Sequence, residues 1–182
     1  MVCYSDHDGV FMHQGMGLDV FNEMPMRRAV HALYECCCSV PLAADLARER
    51  PYADHDALFR QADRLLFALA EPSIDSILQA YPDVGRRPGS EKSAAEQCAI
   101  TDERAEVMEK LAAASTQYLE RFGFGFVMFV NGFSAQDVLV TAADRMHNDI
   151  ETERKVVRNE LARINRTRLE RMLGPEGGYD NW

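Results

Sequence analysis

"IETERKVVRNELARINRTRLERML", residues 150–173, decides the fold class. Val157, Leu161 and Ile164 recur at the three- and four-residue steps of one helix face. Around them the basic residues alternate with Glu151, Glu153, Glu160 and Glu170, an ordinary solvated face. The spacing predicts a single helix from about 150 to 173, stopped by "GPEGG". The next member of the apolar series is residue 168, and it is an arginine. An arginine there either turns its charge outward into a structural ion pair or holds an anion or carboxylate inside. The stripe alone leaves both open.

The same period runs through nearly every other segment. Pro25 suits a first helical turn, and Met26, Val30, Leu33 and Cys37 follow it. "SVPLAADLARER" reads as a short helix capped by Ser39, with Pro41 inside its start and Pro51 ending it. Leu58, Ala62, Leu65 and Leu69 form a stripe after Asp54. Ser73 opens another helix through Ile74, Ile77 and Leu78, which must stop near Tyr81 because Pro82 disfavours helical geometry before it. Residues 82–92 are a loop, and Thr101 caps a helix carrying Val107, Leu111, Ala114 and Tyr118. "FGFGFVMFV", 122–130, could be read as a strand, but with no partner strand in view it is a buried connector. Ser134 and Asp137 have capping-box spacing ahead of Val138, Leu139, Ala142 and Met146. The expectation is an all-α, single-domain, compact bundle of about seven to nine helices. Its folded part spans 20–174, between a flexible arm at 1–19 and a tail at 175–182.

Composition narrows the partners. In 182 residues, 47% are hydrophobic, enough for a real core. The net charge of −9 disfavours nucleic acid and anionic membrane surfaces. No apolar run is long enough to span a bilayer, and the N-terminus lacks the order of a signal peptide. A cytoplasmic protein is the default. The cysteines at 3, 36, 37, 38 and 98 are no disulfide framework, and neighbours on a helix point about 100° apart, so Cys36, Cys37 and Cys38 do not converge on a metal. His7, His13, His31, His55 and His147 show no metal-ligand spacing either.

Three stretches carry polar groups in suggestive places. "SAAEQ" (93–97) has the spacing of a capping box; alternatively Glu96 and Gln97 converge on a ligand. The glycines of "FGFGFVMFV" either serve the core or let backbone N–H groups approach a ligand closely. "AYPDVG" places a phenol, Tyr81, at the mouth of a turn after a helix.

Taken in order, these pieces resemble the OHCU decarboxylases, which act on 2-oxo-4-hydroxy-4-carboxy-5-ureidoimidazoline in urate breakdown. The resemblance rests on x-Pro-Asp-x-Gly, then Ser-x-x-Glu-Gln, then Tyr-x-x-x-Phe-Gly-Phe-x-Phe, then Arg-Leu near the end of a charged helix. It covers about residues 20–173, including "FNEMP", "RPYADHDAL" and "RMHNDIETE". It implies an all-α homodimer that needs no cofactor and releases CO₂ from a small-molecule carboxylate to give (S)-allantoin. It also implies a site made of Ser93, Glu96, Gln97, the segment Phe126, Val127, Met128, Phe129 and Val130, and Arg168 followed by Leu169.

Two departures stand out. Gly125 replaces the family's usual proline, and Tyr81 before Pro82 replaces the histidine that is the family's proton donor. Histidine titrates near neutral pH, whereas tyrosine, near 10, is a poor base that still donates a hydrogen bond or a proton. Three readings follow: a urate-pathway decarboxylase with Tyr81, Glu96 and Arg168 as its catalytic groups; a relative with a changed reaction (decarboxylase, isomerase or cyclase) on another small heterocyclic acid; or a non-catalytic ligand-binding paralogue.

Overall fold

The structure, a computed structural model, describes residues 15–81, 105–130 and 132–175. Among them 76% are helical and none lies in a strand. The order is α1 (Leu18–Glu23), α2 (Met26–Cys37), α3 (Val40–Arg48), α4 (His55–Ala68), α5 (Glu71–Ala80), α6 (Ala105–Phe122), α7 (Ala135–Arg145) and α8 (Ile150–Leu173). No helix among the described residues is long and apolar enough to cross a membrane.

The helix ends follow their side chains. Ser39 accepts from the Leu42 N–H, Asp54 from Ala57 and Asp149 from Thr152, each satisfying an orphan donor of a first turn. Ser134 and Asp137 form a complete capping box at α7. One start differs from the sequence reading: α5 begins at Glu71 rather than Ser73, with Pro72 in its first turn. Residues 123–130 are the irregular connector expected, while Phe122 still belongs to α6; Phe124, Phe126, Val127, Met128 and Val130 are buried.

Long α8 is the spine. It packs against α2 and α4, while α2 also lies on α3 and α6 on α7. Val157, Leu161, Ile164, Leu169 and Leu173 are buried along it, and Arg168 is among them at 5% exposure. On α2 the buried stripe is Ala29, Leu33, Cys36 and Cys37; Met26, expected in it, is exposed.

"FNEMP" and "RPYADHDAL" meet in space. Arg50 donates from Nη1 to the carbonyls of Phe21 (2.6 Å) and Met24 (2.7 Å), capping the end of α1. Asn22 bonds both backbone groups of Tyr52, each at 2.9 Å. The first residues described dock on the far end of α8, where Met16 and Gly17 donate to the carbonyls of Met172 and Leu173. Helix α1 thus begins inside the span expected to be an arm; residues 1–14 lie outside the described residues.

Candidate active site

The turn after α5 does what Pro82 requires of the residue before it. Tyr81 leaves the helix in an extended conformation, φ −82° and ψ 140°, with its N–H on the Leu78 carbonyl. That step aims the ring at α8. There the Arg168 guanidinium lies 4.8 Å from the ring centroid, and its Nη1 donates to the Tyr81 hydroxyl at 3.2 Å. The hydroxyl in turn donates to Oδ1 of Asn165 at 3.4 Å. Asn165 is itself buried, at 4% exposure.

Arg168 is held from its other side by the end of α2. Nη1 also donates to the Cys36 carbonyl at 3.2 Å and lies 3.7 Å from Cys38 Sγ. Carbonyls in a last turn lack helical partners and carry the negative end of the helix dipole, so a cation is favoured there. Cys38 is the residue after α2 and adopts the left-handed conformation, φ 52°, which turns its thiol toward the arginine. Cys36 and Cys37 are buried, and burial pushes the Cys37 thiol up to about 12, so it stays protonated at neutral pH. The choice left open for Arg168 is narrowed: the charge points inward, at a carbonyl, a thiol and a phenol.

The connector sits further back along the same helix. Glu160 accepts from the Phe129 N–H at 2.6 Å, and the Arg163 guanidinium stacks 4.7 Å from the Phe129 ring. Arg145 donates to the Val127 carbonyl at 2.7 Å and lies 4.6 Å from the Phe126 ring. The backbone at Val127 and Phe129 is therefore fixed by side chains. Eight residues separate Glu160 from Arg168, about 12 Å along the helix axis.

Behind the connector is a buried charge network that corrects one sequence reading. Glu153, expected on the solvated face, has 0% exposure. Its Oε1 accepts from Arg145 Nε at 2.7 Å and from the Tyr118 hydroxyl, and its Oε2 from Asn148 at 2.7 Å. Burial holds the Tyr118 phenol above its usual range, reinforced by its bond to Glu153. Glu160 is also largely covered, at 14% side-chain exposure, by its bond to the connector. "RMHNDIETE" thus supplies three members of a lock that fixes the connector to α8.

Of the residues expected in the site, Tyr81 and Arg168 are in contact, whereas in the segment Phe126 to Val130 it is Phe129 that bonds to the same helix, at Glu160, and Phe126 and Val127 lie against Arg145. Pro82, Ser93, Glu96 and Gln97 lie outside the described residues. Sequence reading missed Asn165 and Cys38. Asn165 carries the same signal as Arg168, a polar side chain on the stripe of Leu161 and Ile164. A cleft of about 460 Å³, lined by Glu71, Ile150, Glu151, Arg154, Lys155 and Arg158, lies at the opposite end of α8. Arg154 and Arg158 are paired there with Glu71, at 3.1 and 2.8 Å.

Known proteins similar to this chain point one way. Over 172 residues the chain is 26% identical to the 2-oxo-4-hydroxy-4-carboxy-5-ureidoimidazoline decarboxylase of Haloferax volcanii, matching 91% of this chain and 100% of that one. It is 25% identical over 162 residues to the uric acid degradation bifunctional protein of Bacillus sp. (strain TB-90), covering 87% of this chain but only 32% of that longer protein. A crystal structure of OHCU decarboxylase in the presence of (S)-allantoin superposes with a TM-score of 0.68 at 20% identity, over 77% of this chain and 95% of the other. The profile of the OHCU decarboxylase family matches residues 22–170, most of the chain, and the chain belongs to that family.

Proposed function

We propose that this chain is a cofactor-independent carboxy-lyase that converts OHCU to (S)-allantoin and CO₂, with Tyr81 in the acid's place. The observation that carries the reading is the contact of Tyr81 with inward-pointing Arg168. A cation set among buried side chains is suited to holding a substrate carboxylate, since a partly desolvated charge interacts more strongly than one in water. When the C–C bond to the carboxylate breaks, its electron pair moves into the ring C=N and CO₂ departs. The product then takes a proton from the Tyr81 hydroxyl. The phenolate this leaves stands 3.2 Å from Arg168 Nη1 until a solvent proton restores it.

Glu96 and Gln97 are proposed to orient the substrate, with Ser93 and Pro82 completing the rim and Phe126 to Val130 forming the apolar wall. The proposed protein is a cytoplasmic homodimer. Exposed Val20, Met26, Tyr34 and Val40, on or beside α1, α2 and α3, are the first candidates for the interface, which light scattering tests.

Incubation with freshly generated OHCU, followed by chiral detection of allantoin, tests the activity. Formation of the (S) enantiomer well above the spontaneous rate is expected. A wild-type protein that adds nothing to that rate would favour the second reading, a changed reaction on another small heterocyclic acid, which the tyrosine at position 81 motivates.

A further inference from the structure

We propose that Glu160 is a positioning residue of the substrate site, acting through the Met128–Phe129 peptide. The inference rests on the decarboxylase reading and on Phe126 to Val130 as a wall of its site. The connector is buried but forms neither helix nor strand, so its backbone polar groups depend on side chains for partners. Glu160 Oε2 accepts from the Phe129 N–H at 2.6 Å, and Arg145 Nη1 donates to the Val127 carbonyl at 2.7 Å.

Peptide planarity carries these two bonds one residue further. Among the described residues only the Arg50–Pro51 bond is cis, so the peptides on both sides of Met128 are trans. In a trans peptide the N–H and the carbonyl point in opposite directions. The Met128 carbonyl shares a plane with the Phe129 N–H and so points away from Glu160. The Met128 N–H shares a plane with the Val127 carbonyl and so points away from Arg145. Both polar groups of Met128 therefore have set directions, the carbonyl fixed from α8 and the N–H from α7.

Glu160 is itself braced. Its Oε1 pairs with Arg163 Nη1 at 3.2 Å, and the Arg163 guanidinium lies 4.7 Å from the centroid of the Phe129 ring. Two residues three apart on α8 thus grip both the backbone and the ring of Phe129. Side chains on a helix lean toward its N-terminus, so Arg168 reaches back along α8 toward this grip and shortens the roughly 12 Å between the two levels. A small molecule whose carboxylate is held at Arg168 can meet the connector with its other end.

Steady-state kinetics with OHCU on Glu160→Ala and Glu160→Gln test the inference, with thermal melts by circular dichroism on the same preparations. Alanine and glutamine both suit a helix, so both variants should fold. Alanine leaves the Phe129 N–H without its acceptor. KM should rise by about 2- to 12-fold, the range of one net hydrogen bond, with kcat changed by less than about 2-fold. Glutamine keeps an acceptor oxygen and should bring KM back to within about 2-fold of wild type. A merely structural role would lower Tm and the active fraction, and with it the apparent kcat, without moving KM. An unchanged KM in Glu160→Ala, or a glutamine variant that fails to restore it, overturns this inference and leaves the decarboxylase reading intact. Wild-type protein without turnover overturns both.

Discussion

Removing one oxygen atom separates the chemistry of Tyr81 from its packing. In Tyr81→Phe the ring remains over the Arg168 guanidinium, whose centre lies 4.8 Å from the ring centroid. Arg168 Nη1 loses one acceptor but keeps the Cys36 carbonyl at 3.2 Å. Asn165 loses a bond that was 3.4 Å long. Tyr81 is only half-buried, so water can replace part of what is lost. The stability cost should therefore be about 1 kcal/mol or less, the net worth of a typical hydrogen bond. For a chain of this size that is a fall in Tm of about 2–4 °C. The catalytic cost is expected to be far larger, since a positioned acid contributes roughly 10²–10⁴ in rate, or about 3–5 kcal/mol. Initial rates of (S)-allantoin formation, corrected for the spontaneous reaction, and a thermal melt on the same preparation measure both. Wild-type turnover in Tyr81→Phe would refute the assignment of the proton donor and direct the search to Glu96.

Other perturbations probe the frame around the site. Glu153→Ala leaves the Arg145 cation buried without its carboxylate and should cost about 3–5 kcal/mol in urea denaturation; a loss below about 1 kcal/mol would mean that the network does not lock the connector. Gly15→Ala places a Cβ 1.9 Å from the Gly174 nitrogen, a backbone atom, so the segment at 15–17 should leave the end of α8, detected as faster proteolysis near residue 17. Acid stability should depend on Asp149, whose carboxyl is held below its ordinary value by the Thr152 N–H and hydroxyl. A depressed folded value stabilises above the ordinary carboxylate range and is lost as pH falls through it, below about pH 4. Asp149→Asn, which caps without titrating, should match wild type at pH 7 and lose less stability in that acid range, and equal acid slopes would count against the cap's role.

Helix boundaries were legible where a side chain sets them. Ser39, Asp54, Ser134 and Pro82 act on neighbours within three residues, and such effects are written in local sequence. Arg168 was legible because an apolar period passed through a charge. Glu153 was not, for an equally physical reason. Its neighbours on α8 are charged, and the groups that bury it, Tyr118 and Arg145, come from α6 and α7. A period along one helix records which face is apolar; it does not record that another element brings a compensating charge. Asn165 fell between these cases. It lies on the readable stripe, but its meaning depends on Tyr81, 84 residues away.

That dependence leads to one more expected result, from restoring histidine at position 81. A phenol carries its polar atom at the far tip of the ring, where both Arg168 and Asn165 reach it. An imidazole is a smaller ring with its nitrogens along the rim, so it ends short of the place where the phenolic oxygen meets Asn165. It also titrates near neutral pH and can give and regain a proton there. Tyr81→His should therefore keep or raise turnover. The pH profile should change as well. With histidine as acid, activity should fall as pH rises through roughly 6–7, where the imidazolium loses its proton, whereas the tyrosine enzyme should stay active to higher pH. Rates of (S)-allantoin formation from pH 5.5 to 9 for the wild type and Tyr81→His decide the matter. Identical profiles in the wild type and Tyr81→His would show that residue 81 does not supply the proton.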